Sequence, residues 1–202
     1  MTDRLDRFPL KALPSVMGMR PEDVLSYWLE TVSPSEHFNA TPELDARIRE
    51  RFGTLVEALE AAGYPHVWEG TPDGALALVI ALDQFPRNIH RGEAGAFLMD
   101  TLALDVAQRA IGRGFLDKVA HPKWLLMPLM HSEDVAVQDA AIPLFAEHAD
   151  ADTLAHAKAH RDAIAEFGRF PARNNALGRE TTEAEREYLE GGGYKEALGR
   201  YK

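Results

Sequence analysis

Two short stretches combine residue types that could hold a ligand. "LDQFPRNIHRG" spans residues 82–92 and "FGRFPARNNALGR" spans 167–179. Each sets Arg and Asn behind a Phe-Pro pair, with one extra residue, Ala172, in the second. Arginine presents a planar fork of donors that fits carboxylate or phosphate. Asparagine both donates and accepts, so it can orient what arginine holds. Arg87, Asn88, Arg169, Arg173 and Asn174 are therefore candidate ligand-binding residues. Residues 168–179 contain Arg169, Arg173, Arg179 and no acid, a local charge of +3. If the two segments meet, they form a pocket for a small anionic ligand. The competing explanation is local. A proline ends each helix, the chain turns behind it, and Arg and Asn bond the last free carbonyls.

A third stretch, "MHSED" at 130–134, sets His131 before an expected helix start, with Ser132 as its cap and Glu133 in its first turn. A helix start offers free N–H groups and partial positive charge. An imidazole there can move protons near neutral pH. His131, Glu133 and His160 are thus the catalytic candidates. Capping alone accounts for Ser132 and Glu133, which leaves His131 as the surplus residue. His156 and His160 stand four residues apart on one helix and could share a metal. No carboxylate completes an H-E-x-x-H set, so no metal is expected, and His160 also reads as a core-edge histidine bonded to a neighbour. Trp28, Trp68 and Trp124 read as core anchors. No phosphate-binding glycine loop, nucleophile elbow or dinucleotide fingerprint is present, so no cofactor is expected.

The elements that must position these residues are helical. Pro21 suits a first helical position, and Thr41-Pro42 and Thr71-Pro72 pair an N-cap with a proline at the first turn. Leu44, Ile48, Phe52, Leu55, Val56 and Leu59 share one face, with Gly63 closing that helix. Residues 71–85 are apolar nearly all round and predict a central buried helix. Further helices are expected over 93–111, from Ser132 through a kink at Pro143, from Asp152 to Gly168, and from a Thr182/Glu185 capping box. The expected fold is all-α, about eight helices in an antiparallel, tetratricopeptide-like array. Residues 1–18 read as an extended N-terminal arm, 19–190 as a single all-helical domain, and 191–202 as a loose C-terminal tail.

The totals limit the partners. The chain has 202 residues, of which 46% are apolar and 27% charged, an ordinary globular composition. A net charge of -10 repels phosphate backbones, so neither nucleic acid nor a membrane surface is an expected partner. The absence of cysteine excludes thiol chemistry and fits a cytoplasmic location. The longest apolar run, 75–82, is too short to span a bilayer, and the start lacks the pattern of a secretory signal.

"VLSYWLE", "LDARIRERF", "GALALVIALDQFPRNIHRG", "MHSED", "HRDAIAEFGRFPARNNALGRE" and "TEAEREYL", in that order between about Val24 and Leu189, resemble the bacterial domain-of-unknown-function 924 family. The resemblance implies an all-helical, tetratricopeptide-like fold and no defined activity. The family carries His where this chain has Ala172, and an aromatic residue where it has His156. Two functions follow as expectations. One is a receptor or enzyme for an anionic metabolite, with the arginines binding charge and His131 or His160 moving protons. The other is a helical module that cradles an acidic peptide.

Overall fold

The computed structural model describes residues 18–62 and 67–202. The arm expected over 1–18, save Gly18, and the closing Gly63 lie outside them. All regular elements among the described residues are helical. The described residues group into two compact units, one ending at Arg91 and resuming over Gly95–Leu125, the other comprising Gly92–Ala94 and Leu126–Lys202.

In the first unit, α1 (Pro21–Leu25) begins on its proline and widens into a π-helical turn, Ser26–Thr31. Ser33 and Glu36 form a capping box for α2 (Pro34–Phe38). In α3 (Pro42–Ala62) the predicted stripe from Leu44 to Leu59 is buried throughout. Each such side chain contributes about 1.5–3 kcal/mol to folding. Thr71 caps α4 (Pro72–Val79) by accepting from the Gly74 N–H at 3.1 Å.

The helix does not stop at Pro86, as the sequence suggested. It passes through a π-helical turn, Ile80–Gln84, and continues as α5 (Phe85–Ile89). The Phe85 N–H reaches back five residues to Ile80. The wider turn falls just where Pro86 has no N–H to offer and where its ring would meet a carbonyl of the preceding turn. Phe85 then stacks on Phe52 with centroids 4.5 Å apart, and Trp28 meets both Phe85 and Trp124 edge-on. His37 sits beside both indoles and donates from Nε2 to the Trp28 carbonyl at 2.7 Å. Residues 94–97 form a 3-10 turn, so the helix expected from 93 starts later, as α6 (Asp100–Gly112).

The boundary between the units falls within α7 (Lys123–Met130). In the second unit, α8 (Val135–His148) and α9 (Ala151–Phe167) pack as a hairpin across the two residues Ala149 and Asp150. Two caps differ from expectation. Asp134, not Ser132, caps α8, accepting the Ala136 N–H at 2.8 Å. The Ser132 N–H still bonds Leu129, so Ser132 belongs to the exit of α7. Asp150, not Asp152, caps α9, because α8 has ended one residue earlier. Gly168, at φ 67°, closes α9 in the left-handed conformation. Pro171 opens a 3-10 turn to Arg173 and does not itself end the helix. Thr182 and Glu185 form the predicted box at α10 (Glu183–Glu190). The segment 191–202, expected to be loose, contains α11 (Tyr194–Gly199), which packs on α9 and buries Ala197.

Candidate functional site

His160 lies in the middle third of α9, one turn beyond His156. Its Nδ1 is 2.8 Å from the His156 carbonyl. A carbonyl only accepts, so Nδ1 carries the proton and Nε2 the lone pair. The ring meets Phe170 and Tyr194 edge-on, at 5.4 and 4.7 Å, and lies 6.1 Å from the His131 ring. Burial first, then the neighbouring His131 and Arg173, push the His160 pKa down to about 3. The imidazole is therefore neutral at physiological pH.

His131 ends the chain's exit from α7, with its N–H on the Met127 carbonyl. Its own carbonyl accepts from Arg173 Nη2 at 2.9 Å. The Arg173 guanidinium lies over the Phe170 ring, 4.5 Å from the centroid, a cation–π contact. Thus His160 and Arg173 meet on one aromatic side chain and His131 lies beside both, although 29 and 13 residues separate the three in sequence.

The frame of this cluster is a pair of arginine–carboxylate clamps. Glu133 accepts the Phe170 N–H at 2.9 Å and binds Arg179 through both oxygens, at 2.7 and 3.1 Å. Arg179 also donates to Asn174 Oδ1 and to the Phe170 carbonyl. Burial pulls the Glu133 carboxyl up, but Arg179, the Phe170 N–H and Arg173 together hold it below its ordinary value. Glu185, 2% exposed, accepts from Nε and Nη2 of Arg169 at 2.6 and 2.8 Å, the Thr182 N–H at 2.8 Å and Asn174 at 3.2 Å. Arg169 first, then these bonds, hold its carboxyl far below the usual range. Glu133 was expected in a helix's first turn. It lies before α8 and braces the 168–179 segment instead.

Arg87 and Asn88 belong to the other unit. Arg87 donates to the Asp83 carbonyl at 2.6 Å and pairs with both oxygens of Asp100, at 2.9 and 3.0 Å. Asn88 donates to the Gln84 carbonyl at 3.0 Å. Both side chains thus bond carbonyls four residues back, in the turn widened before Pro86. The side chain of Asp83 is fully buried, with Gln84 donating to one oxygen and Arg87 3.3 Å from the other.

Several residues of the second-unit cluster carried no clear sequence signal. Tyr194 lies behind three glycines in a stretch without helical period, yet its hydroxyl bonds His156 Nδ1. His156 Nε2 lies 3.3 Å from Asp152, whose other oxygen is 2.6 Å from Lys202. Phe170 enters the sequence pattern only as half of a Phe-Pro pair. Arg179 counted toward the local charge but had no assigned partner. Gln138 is buried and donates to the Met130 and Ser132 carbonyls at 2.6 and 2.9 Å. Among the described residues no three His, Asp or Glu side chains group to hold a metal, and no helix is long and apolar enough to cross a membrane.

Residues 24–193 match the model of a family described as bacterial protein of unknown function (DUF924). A solved protein of unknown function from Agrobacterium tumefaciens is 36% identical over 85% of this chain and 97% of its own, with a TM-score of 0.78. No curated protein matches the chain.

Proposed function

The chain belongs to the bacterial DUF924 family, whose function is unknown, and we propose that its His131–His160–Arg173 cluster binds a small anion. The observation that carries this reading is the meeting of the His160 imidazole and the Arg173 guanidinium on Phe170, with the His131 ring 6.1 Å from that of His160. Arg169 pairs with Glu185 and Arg179 with Glu133, whose carboxylate Arg173 also stabilises, while the basic neighbours His131, Arg173 and His156 act on His160. In this reading Arg173 supplies charge, His160 supplies a neutral ring nitrogen, and Phe170 limits access of water. Arg169, Asn174, Glu133 and Arg179 hold the segment in place. Arg87 and Asn88 serve the helix of their own unit.

A protein that binds an anion only when folded melts at a higher temperature as the anion is added, by about 2.7 kcal/mol of stability at a hundred times Kd. A thermal-shift series with phosphate, sulfate, malate and succinate at fixed ionic strength should raise the transition beyond sodium chloride for at least one anion. Arg173→Ala should abolish that rise. Arg186→Ala, an exposed position on α10, should not. A series in which no anion exceeds sodium chloride refutes the reading and leaves the acidic-peptide module as the one to test.

A further inference from the structure

We infer that the ligand carries a hydroxyl beside its negative charge, and that His160 Nε2 accepts a hydrogen bond from that hydroxyl while Arg173 meets the charge. Monohydrogen phosphate and a 2-hydroxycarboxylate share this chemistry. The inference rests on the anion-binding reading and specifies which anions qualify.

The reason is the fixed tautomer of His160. The His156 carbonyl takes the Nδ1 proton at 2.8 Å, so the other nitrogen presents a lone pair. The ring could become a donor at Nε2 only by charging. Charging is opposed by the enclosure of Phe170 and Tyr194 and by the nearby Arg173 and His131. His156, the next basic group on the same helix, adds to that opposition. A bare anion presents only acceptors. Placed against Nε2, its oxygen and the ring nitrogen would both lose water and gain no hydrogen bond. A ligand hydroxyl supplies the missing proton. Sites built to bond a substrate hydroxyl reject analogues that lack it by large factors, because the site's polar group is then left unpaired.

Two matched pairs test this on the full-length protein. Sulfate copies the shape and double charge of monohydrogen phosphate but has no O–H at neutral pH. Succinate copies malate without its hydroxyl. Titration calorimetry at pH 7.5 and fixed ionic strength should show phosphate binding at least about tenfold tighter than sulfate, or malate at least about tenfold tighter than succinate. A phosphate preference identifies a phosphoryl ligand, and a malate preference a hydroxy acid. His160→Phe should erase the preference, and nitrogen-15 spectra of the wild-type histidines give a reading that needs no variant. His160 Nε2 should remain unprotonated before and after ligand is added. Equal binding within each pair, or a second proton appearing on His160 as sulfate binds, overturns the inference while leaving anion binding intact. If none of the four anions binds, both readings fall.

Discussion

His160 sits where an imidazole is least able to charge. It lies between Phe170 and Tyr194, with His131, His156 and Arg173 as its basic neighbours, and its folded-state pKa is about 3 against an ordinary 6.5. Below 6.5 the unfolded chain takes up this proton and the folded protein does not. Stability therefore falls as pH drops from about 6.5 toward 3, with a slope of up to about 1.4 kcal/mol per pH unit from this group. Above 6.5 the group adds no slope. His37 and His156, both lowered mainly by burial, act in the same direction. Chemical denaturation at pH 7.5 and pH 5 should give a smaller difference for His160→Phe than for the wild type. An unchanged difference would mean that His160 charges normally in the folded protein. The sequence did identify His160 as a histidine bonded to its neighbour, because a histidine on an otherwise apolar helix face needs a partner. It did not identify which atom was bonded, and the proposed chemistry depends on that atom.

Among the helices, start signals were the most legible features. Thr71-Pro72, the Thr182/Glu185 box and Gly168 all act as their residue types dictate. The two misread caps share one cause. "HSED" and "DADT" each offer more than one capping side chain, and the choice depends on where the preceding helix lets go. Ser132 is still bonded to α7, and Ala149 already ends α8. Pro86 differs again. A proline marks a disturbance in a helix, but packing of Phe85 on Phe52 and Trp28 carries the chain through it as a widened turn. Close packing also fixes Gly74 in the first turn of α4. A β-carbon there would lie 2.1 Å from the Trp68 carbonyl oxygen and 2.8 Å from the capping Thr71 hydroxyl. Gly74→Ala should therefore cost about 1–3 kcal/mol or more, although alanine ordinarily favours a helix. Thermal unfolding checks it, and an alanine variant as stable as the wild type would mean that the 68–74 turn yields freely.

At the level of the whole molecule, composition and sequence period were enough for an all-helical protein with an acidic surface. They could not assemble the candidate cluster, whose members at 131, 160, 173 and 194 meet only through the α8–α9 hairpin, the 168–179 segment and α11. Charge acts on this cluster at two ranges. The net charge of -10 repels an approaching anion over long distances, whereas Arg173 acts at contact. Salt separates the two. The screening length shrinks from about 30 Å at 0.01 M to about 8 Å at 0.15 M, which removes the distant repulsion and leaves contact pairing less affected. Phosphate affinity should hold steady or rise as sodium chloride increases across that range. An exposed basic patch would behave in the opposite way, losing affinity steadily as its attraction is screened. Calorimetric titrations of phosphate at four salt concentrations distinguish them, and a steep fall with salt would place the anion on the surface, away from His160.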